Sequence, residues 1–164
     1  MRIAVMTVSD TRSLADDTSG AYLVEQLSAA GHELHDRQIL PDDRYLLRAV
    51  VSQWIADPAC HVVLLTGGTG FTGRDSTPEA LQPLFDKEMP GFGELFRALS
   101  YREIGTSTLQ SRAVAGLANG TLIFALPGST GACRLAWTEI LKPQLDMSTR
   151  PCNLAELRGR FFER

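Results

Sequence analysis

The stretch TGGTGFTGRDSTPEA, residues 66–80, places closely spaced glycines beside hydroxyl, guanidinium and carboxylate side chains, directly after the apolar run VVLL. Glycines that tolerate positive φ let successive backbone N–H groups converge on an anion, so Gly67, Gly68 and Gly70 form a candidate phosphate cradle. Thr66 and Thr69 add hydroxyl donors, and a helix expected from Pro78, with Thr77 as its N-cap, turns its positive end the same way. Two well-known phosphate motifs do not fit. A dinucleotide fingerprint needs its third glycine inside the helix and an acidic residue at a strand end about 20 positions later. Here Gly73 falls in a loop, and Glu94 falls inside an expected helix. A P-loop needs Lys and then Ser or Thr after its last glycine, whereas this chain has Arg74 and Asp75. Asp75 would repel a lone phosphate, but it suits Mg²⁺ held between phosphates, or a ribose or pterin hydroxyl or N–H group. The plainer reading is a glycine-rich turn kept for chain reversal, although such a turn needs only about one or two glycines.

Loops must be positioned by elements, and the chain alternates between strand-like and helix-like segments. Strands are expected over 2–8, 33–40, 61–65 and 121–126. Helices are expected from Ser19 to Ala30, from the Pro41-Asp42-Asp43 cap to about Ala56, from Pro78, from Pro90-Gly91 to about Arg102, over 106–117, and from the PGS segment to Lys142-Pro143. Residues from about 149 onward read as an irregular tail carrying Arg150, Arg158, Arg160 and Arg164. The alternation predicts one α/β domain over 1–164, an α/β sandwich around a mostly parallel sheet. In such sheets ligands bind outside the carboxyl ends of the strands. There the loops SDTR (9–12), TGGTG (66–70) and PGST (127–130), with Asp42 and Asp43, should converge.

Composition narrows the classes. The chain has 164 residues, 44% hydrophobic and 21% charged, with a net charge of −3. No basic face is announced for nucleic acid, so a phosphate ligand must be bound locally. No apolar run approaches the roughly 20 residues of a membrane span, and no secretory pattern opens the chain, so a cytoplasmic protein is expected. Cys60, Cys133 and Cys152 are scattered and odd in number, which argues for reduced core thiols rather than disulfides or a zinc site.

TGGTG followed by RDSTPEA, PGFGE (90–94), SR (111–112) and PGS (127–129) resembles the molybdopterin adenylyltransferase family along nearly the whole chain. GTSTLQSRAVAG (105–116) and RPCN (150–153) are similar to its shorter MoaB type. The resemblance implies a three-layer α/β/α sandwich, trimers or dimers of trimers, and binding of molybdopterin. In active members it also implies Mg²⁺ and ATP, adenylylation of the terminal phosphate, release of pyrophosphate, and hand-over to a molybdate-inserting enzyme. By the same resemblance Asp42 and Asp75 are the catalytic and Mg²⁺-anchoring carboxylates. Ser9 and Asp10, the 66–70 loop, Glu94, Ser111, Arg112 and Pro127-Gly128-Ser129 contact substrate and phosphate. Thr130 departs from a proline that many relatives place there.

Ordinary explanations compete with these roles. Asp42 could cap the following helix, Glu94 and Arg97 could be a surface pair at i, i+3, and Ser9-Asp10 could cap a turn. The three histidines read as solvated. Phe161-Phe162 among the tail arginines reads as a subunit contact. Two functions follow: an adenylyltransferase, or a molybdopterin-binding scaffold that keeps the loops but does little chemistry. A flavin-binding domain is a weaker third, because no aromatic pair flanks an isoalloxazine site.

Overall fold

The computed structural model describes residues 1–163; Arg164 of the expected tail lies outside the described residues. Strands β1 (Arg2–Val8), β2 (Glu33–Leu40), β3 (Val62–Thr66), β4 (Lys87–Glu88), β5 (Val114–Ala118) and β6 (Thr121–Leu126) form one sheet in the order 2-1-3-6-5-4. The neighbours β2-β1, β1-β3 and β3-β6 are parallel, while β6-β5 and β5-β4 are antiparallel. The sheet is therefore mixed but mostly parallel, as the alternating pattern predicts.

Every residue of β3 and β6 is buried, which explains why these strands read as unbroken apolar runs rather than alternating ones. Alternate side chains serve opposite layers. Ile3, Val5, Val62, Leu64, Leu122 and Phe124 pack with Leu23 and Leu27 of α1 (Thr18–Ala29), Phe92 and Phe96 of α4 (Pro90–Ile104), and Trp137. Ala4, Met6, Val63, Leu65 and Ile123 pack with Leu47, Val51 and Trp54 of α2 (Arg44–Ala56), and with Ala80 and Leu81 of α3 (Thr77–Leu81). Each such aliphatic side chain fully removed from water stabilises the fold by roughly 1.5–3 kcal/mol. Three layers result, and no described helix is long and apolar enough to cross a membrane.

The expected helix over 106–117 is absent. Gly105, at φ +58°, ends α4; a 3₁₀ turn spans Gly105–Gln110, and Val114–Ala118 is strand β5. Its Ala and Leu residues suit a helix locally, but pairing with β6 and β4 is long-range and decides the outcome. Gly116 fits because the Phe85 ring covers the place a Cβ would take. The last helix is interrupted: α5 (Thr130–Ala136) passes through a π turn at Trp137–Leu141 into α6 (Lys142–Gln144). The tail is only partly irregular. Asn153 caps a short helix α7 (Leu154–Leu157) by accepting Glu156 N at 2.7 Å, and a 3₁₀ turn follows at Arg158–Arg160. Cys60 and Cys133 are buried, and burial pushes each thiol up to about 11, so both stay protonated; Cys152, in contrast, is exposed. The histidines are half-buried rather than fully solvated, with His61 Nδ1 accepting Arg2 N and His32 edge-on to Trp137.

Candidate functional site

β1 leads to β2 on one side, and the chain then returns to place β3 on β1's other side. The crevice beyond β1 and β3 is thus a point where the connection direction reverses, the place where open α/β sheets bind ligands. A cavity of about 600 Å³ lies there, lined by Ser9 from the β1 exit, Gly67–Gly70 and Asp75 from the β3 exit, Gly128 and Ser129 from the β6 exit, and by Ser111. The strand-end loops expected to meet do meet.

They touch as well as converge. Thr66 Oγ1 donates to Pro127 O at 3.0 Å, Gly67 N donates to Leu126 O at 3.0 Å, and a Cβ on Gly128 would stand 3.2 Å from Gly67 Cα. Gly67 (φ +108°) and Gly68 (φ +64°) use the positive-φ freedom that was expected of them. Gly70 does not; it is small because a Cβ would meet Asp75 Oδ2 at 2.8 Å. Thr66 is fully buried and its proton is spent on Pro127 O, so it fastens two loops together instead of offering a free donor. Ser9 Oγ accepts the Thr11 and Arg12 N–H groups, and Ser129 Oγ accepts Ala132 N. Both hydroxyls act as acceptors toward their own turns, which leaves their protons to donate elsewhere.

Two carboxylates flank the glycine loop. Asp42 Oδ2 occupies the space a Cβ on Gly68 would take, and Asp75 Oδ2 stands in the same relation to Gly70. Asp42 is not the helix cap. Asp43 does that work, accepting Tyr45 N and Leu46 N at 2.9 Å each, while Asp42 Oδ1 accepts Ser76 N at 3.1 Å and Ser76 Oγ at 2.6 Å. Those bonds also correct the view of α3. It has only five residues, begins after Ser76 rather than Thr77, and its start faces Asp42 instead of an open anion site. Burial, reinforced by the Asp75 and Asp10 charges, holds the Asp42 carboxyl above the usual range despite its bonds from Ser76. Burial also works against ionisation of Asp75, but bonds from Thr72 and Gly70, with Arg112 nearby, outweigh it and set that carboxyl below the usual range.

Both carboxylates offer hard oxygen ligands, the donor type Mg²⁺ prefers. Among the described residues no group of three or more His, Cys, Asp and Glu side chains could hold a metal alone. Mg²⁺ at nucleotide sites takes most of its ligands from phosphate and water, so these two carboxylates could hold it only together with a bound phosphate.

Because both the backbone sign and the space at Gly68 are committed, Gly68→Ala is expected to cost about 1–2 kcal/mol for the left-handed conformation alone. Overlap with Asp42 Oδ2 and Thr77 Oγ1 adds to that cost. Urea unfolding checks it: a variant as stable as wild type would contradict this picture of the loop.

Several expected site residues sit elsewhere. Arg112 is consumed by the protein: Nε donates to Gly70 O at 2.7 Å, Nη2 to Asp75 O at 2.8 Å, and Nη1 pairs with Glu79. It braces the glycine loop and the backbone of Asp75 instead of reaching into the main cavity. Glu94 is exposed and lines a neighbouring cavity of about 460 Å³ with Met89 and Arg97; Ser111 stands in the wall common to both. Glu94 follows the outward face of α4, so it does not join the glycine loops. Asp10 is paired with Arg74 through three contacts of 2.6–3.1 Å and accepts Asp42 N at 3.1 Å, which links the β1 exit to both carboxylate-bearing loops. Sequence reasoning missed Arg12, Ser100, Ile104, Ser107 and Gln110, all of which line the main cavity. The last three lie in or beside the 3₁₀ turn that was read as helix, and Arg12 closes the SDTR segment whose first two residues alone were singled out.

A mostly parallel sheet of this topology, with glycine loops leaving β3 and β6 beside one strand-end cavity, defines an α/β/α protein with its crevice at the switch point. The chain belongs to the family described as "Probable molybdopterin binding domain", which matches residues 4–147. It is 62% identical over 152 residues to Molybdenum cofactor biosynthesis protein B of Escherichia coli K12, covering 93% of this chain and 89% of that protein. A crystal structure of a Molybdenum cofactor biosynthesis protein B superposes with a TM-score of 0.85 at 44% identity, over 88% of this chain and 90% of the other. The tungsten cofactor synthesizing protein MoaB of Pyrococcus furiosus superposes with a TM-score of 0.79 at 40% identity, over 88% and 91%.

Proposed function

We propose that this protein acts in molybdenum cofactor biosynthesis as a molybdopterin adenylyltransferase, moving the adenylyl group of Mg-ATP to the terminal phosphate of molybdopterin. The observation that carries the reading is the placement of Asp42 against Gly68 and Asp75 against Gly70, two carboxylates on one anion-cradling loop. The names of its relatives support the pathway, and the carboxylates support the chemistry.

In the reaction a molybdopterin phosphate oxygen attacks the α-phosphorus of ATP; the new O–P bond forms as the bond to the β-phosphate breaks, and pyrophosphate leaves. A phosphate monoester with a second pKa of about 6 is already largely ionised near neutral pH, so no strong base is required. The work left to the protein is positioning and charge control. The backbone N–H groups of Gly68 and Thr69 receive phosphate oxygens, since Gly67 N is spent on Leu126 O and Gly70 N on Asp75, and the Ser9 and Ser129 hydroxyls donate from the adjoining loops. Asp42 and Asp75 would hold Mg²⁺, which when bound offsets the repulsion between two polyanions. Arg112 and Glu79 keep the loop and Asp75 in register.

The test is to incubate the purified protein with molybdopterin, ATP and Mg²⁺ and to follow pyrophosphate and adenylylated pterin. Turnover supports the reading. Tight molybdopterin binding with no pyrophosphate released above background overturns it and leaves the scaffold role.

A further inference from the structure

Among the described residues Arg12 is the only cation lining the main cavity, whose other charged wall residue is Asp75. Its first candidate role is to neutralise the buried Asp17, but that carboxylate is already satisfied. Asp17 Oδ2 accepts Arg37 Nη2 at 2.9 Å and Thr7 Oγ1 at 2.8 Å, and Oδ1 accepts Gly20 N at 2.9 Å. Arg12 Nη1 stands 3.8 Å from Oδ1, too far for a hydrogen bond, and donates instead to Ser19 Oγ at 2.9 Å. Among the described residues its Nε and Nη2 have no protein acceptor, and the side chain is about one-third exposed (35%). A guanidinium held by a single bond at the wall of an anion-cradling cavity has donors to spare.

The turn that carries it is tied to the other loops of the cavity. Ser9 Oγ accepts Arg12 N at 3.2 Å, so the hydroxyl and the guanidinium belong to one tight turn. Thr18, beside the Ser19 tether, lies 3.0 Å from Thr130 Oγ1, which ties this turn's anchor to the segment following Ser129. Arg74 is committed to Asp10, and Arg112 to Gly70, Asp75 and Glu79, while Arg97 lines the neighbouring cavity.

We propose that Arg12 is a phosphate-binding residue of this cavity, engaging a terminal phosphate held between the Ser9 turn and the Gly128-Ser129 loop. The proposal rests on the adenylyl-transfer reading for the identity of the ligand and on the geometry alone for its phosphate. Both molybdopterin and ATP end in a phosphate, so the source is a matter for the experiment.

Inorganic phosphate is titrated into wild type, Arg12→Gln and Arg12→Lys at low ionic strength, following amide shifts in the 66–70 and 127–130 loops and the Arg12 Nε resonance. A charge-assisted guanidinium–phosphate contact predicts at least a tenfold weaker Kd in Arg12→Gln, partial recovery in Arg12→Lys, and a saturable Nε shift in wild type. An unchanged Kd in Arg12→Gln, an Nε resonance indifferent to phosphate, or no phosphate binding by wild type overturns the proposal. If Arg12→Gln fails to fold, the Nε shift and the Lys variant still decide. Repeating the titration with Mg-ATP assigns the source: a parallel loss makes the phosphate the nucleotide's, and unchanged affinity makes it the acceptor's. Absent turnover with Arg12-dependent phosphate binding sinks only the adenylyl-transfer reading, whereas turnover with Arg12-independent binding sinks only this one.

Discussion

Asp75→Asn is expected to lower adenylyl transfer by about 100-fold or more, the usual effect of removing one preorganised electrostatic contact from a transition state. Asparagine keeps the size of the side chain and an oxygen that can accept from Thr72, so the turn at 72–75 should survive. What disappears is the negative charge beside Gly70. Molybdopterin affinity should change less than tenfold, because the backbone N–H groups and hydroxyls that receive its phosphate are untouched and asparagine can still hydrogen-bond a pterin group. Asp42→Asn should act in the same direction. Pyrophosphate release at saturating Mg-ATP and a molybdopterin binding titration separate the two quantities. A turnover rate within threefold of wild type in Asp75→Asn would remove the carboxylate from the chemistry.

The second large effect concerns stability, and it arises at Asp17. This side chain has no exposed surface, caps α1 through Gly20 N, and pairs with Arg37. Asp17→Ala leaves the Arg37 guanidinium half-buried beside an empty position and is expected to cost about 3–5 kcal/mol, as breaking a buried ion pair does. In a chain of this length that lowers the melting temperature by roughly 2–4 °C per kcal/mol. The pH dependence has a definite sign. Burial opposes ionisation of Asp17, yet bonds from Arg37, Gly20 and Thr7 prevail and place its carboxyl below the ordinary 3.8 in the folded protein. Its contribution is therefore complete above the unfolded-state pKa near 4 and disappears as pH falls through the lower folded value. Urea unfolding at pH 7 and at successively lower pH should show the difference between wild type and Asp17→Asn shrinking in acid. A difference that is constant or grows would contradict the assignment.

The sequence made the site's framework readable where one local signal sufficed. β1, β3 and β6 are buried on both faces, so they appear as apolar runs, and each ends in a polar or glycine-rich loop that could only lie at a strand's carboxyl end. Side-chain partners were another matter. Neighbouring Asp42 and Asp43 look alike as caps, and only the approach of Ser76, 34 residues away in sequence, separates them. The Ser-Arg pair marked Arg112 without showing that its guanidinium faces Gly70 O and Glu79 rather than a ligand. β5 was misread because its residues suit a helix until β6 and β4 claim its backbone. These misses share one cause: a contact across the sheet leaves no periodic trace in the chain.

The bond from Gly67 N to Leu126 O and the contact of Gly67 with Gly128 extend the β3-β6 pairing past the last strand residues. The base on which a ligand rests is thus a prolongation of the fully buried β3-β6 ladder, and the Gly67 amide should exchange with solvent far more slowly than the open amides of Gly68 and Thr69. Such a base cannot easily be reshaped without loss of the fold, whereas the Arg12 turn and the Ile104–Gln110 turn can vary independently above it. A change of ligand among proteins built this way would accordingly be written in those walls, over an unaltered base.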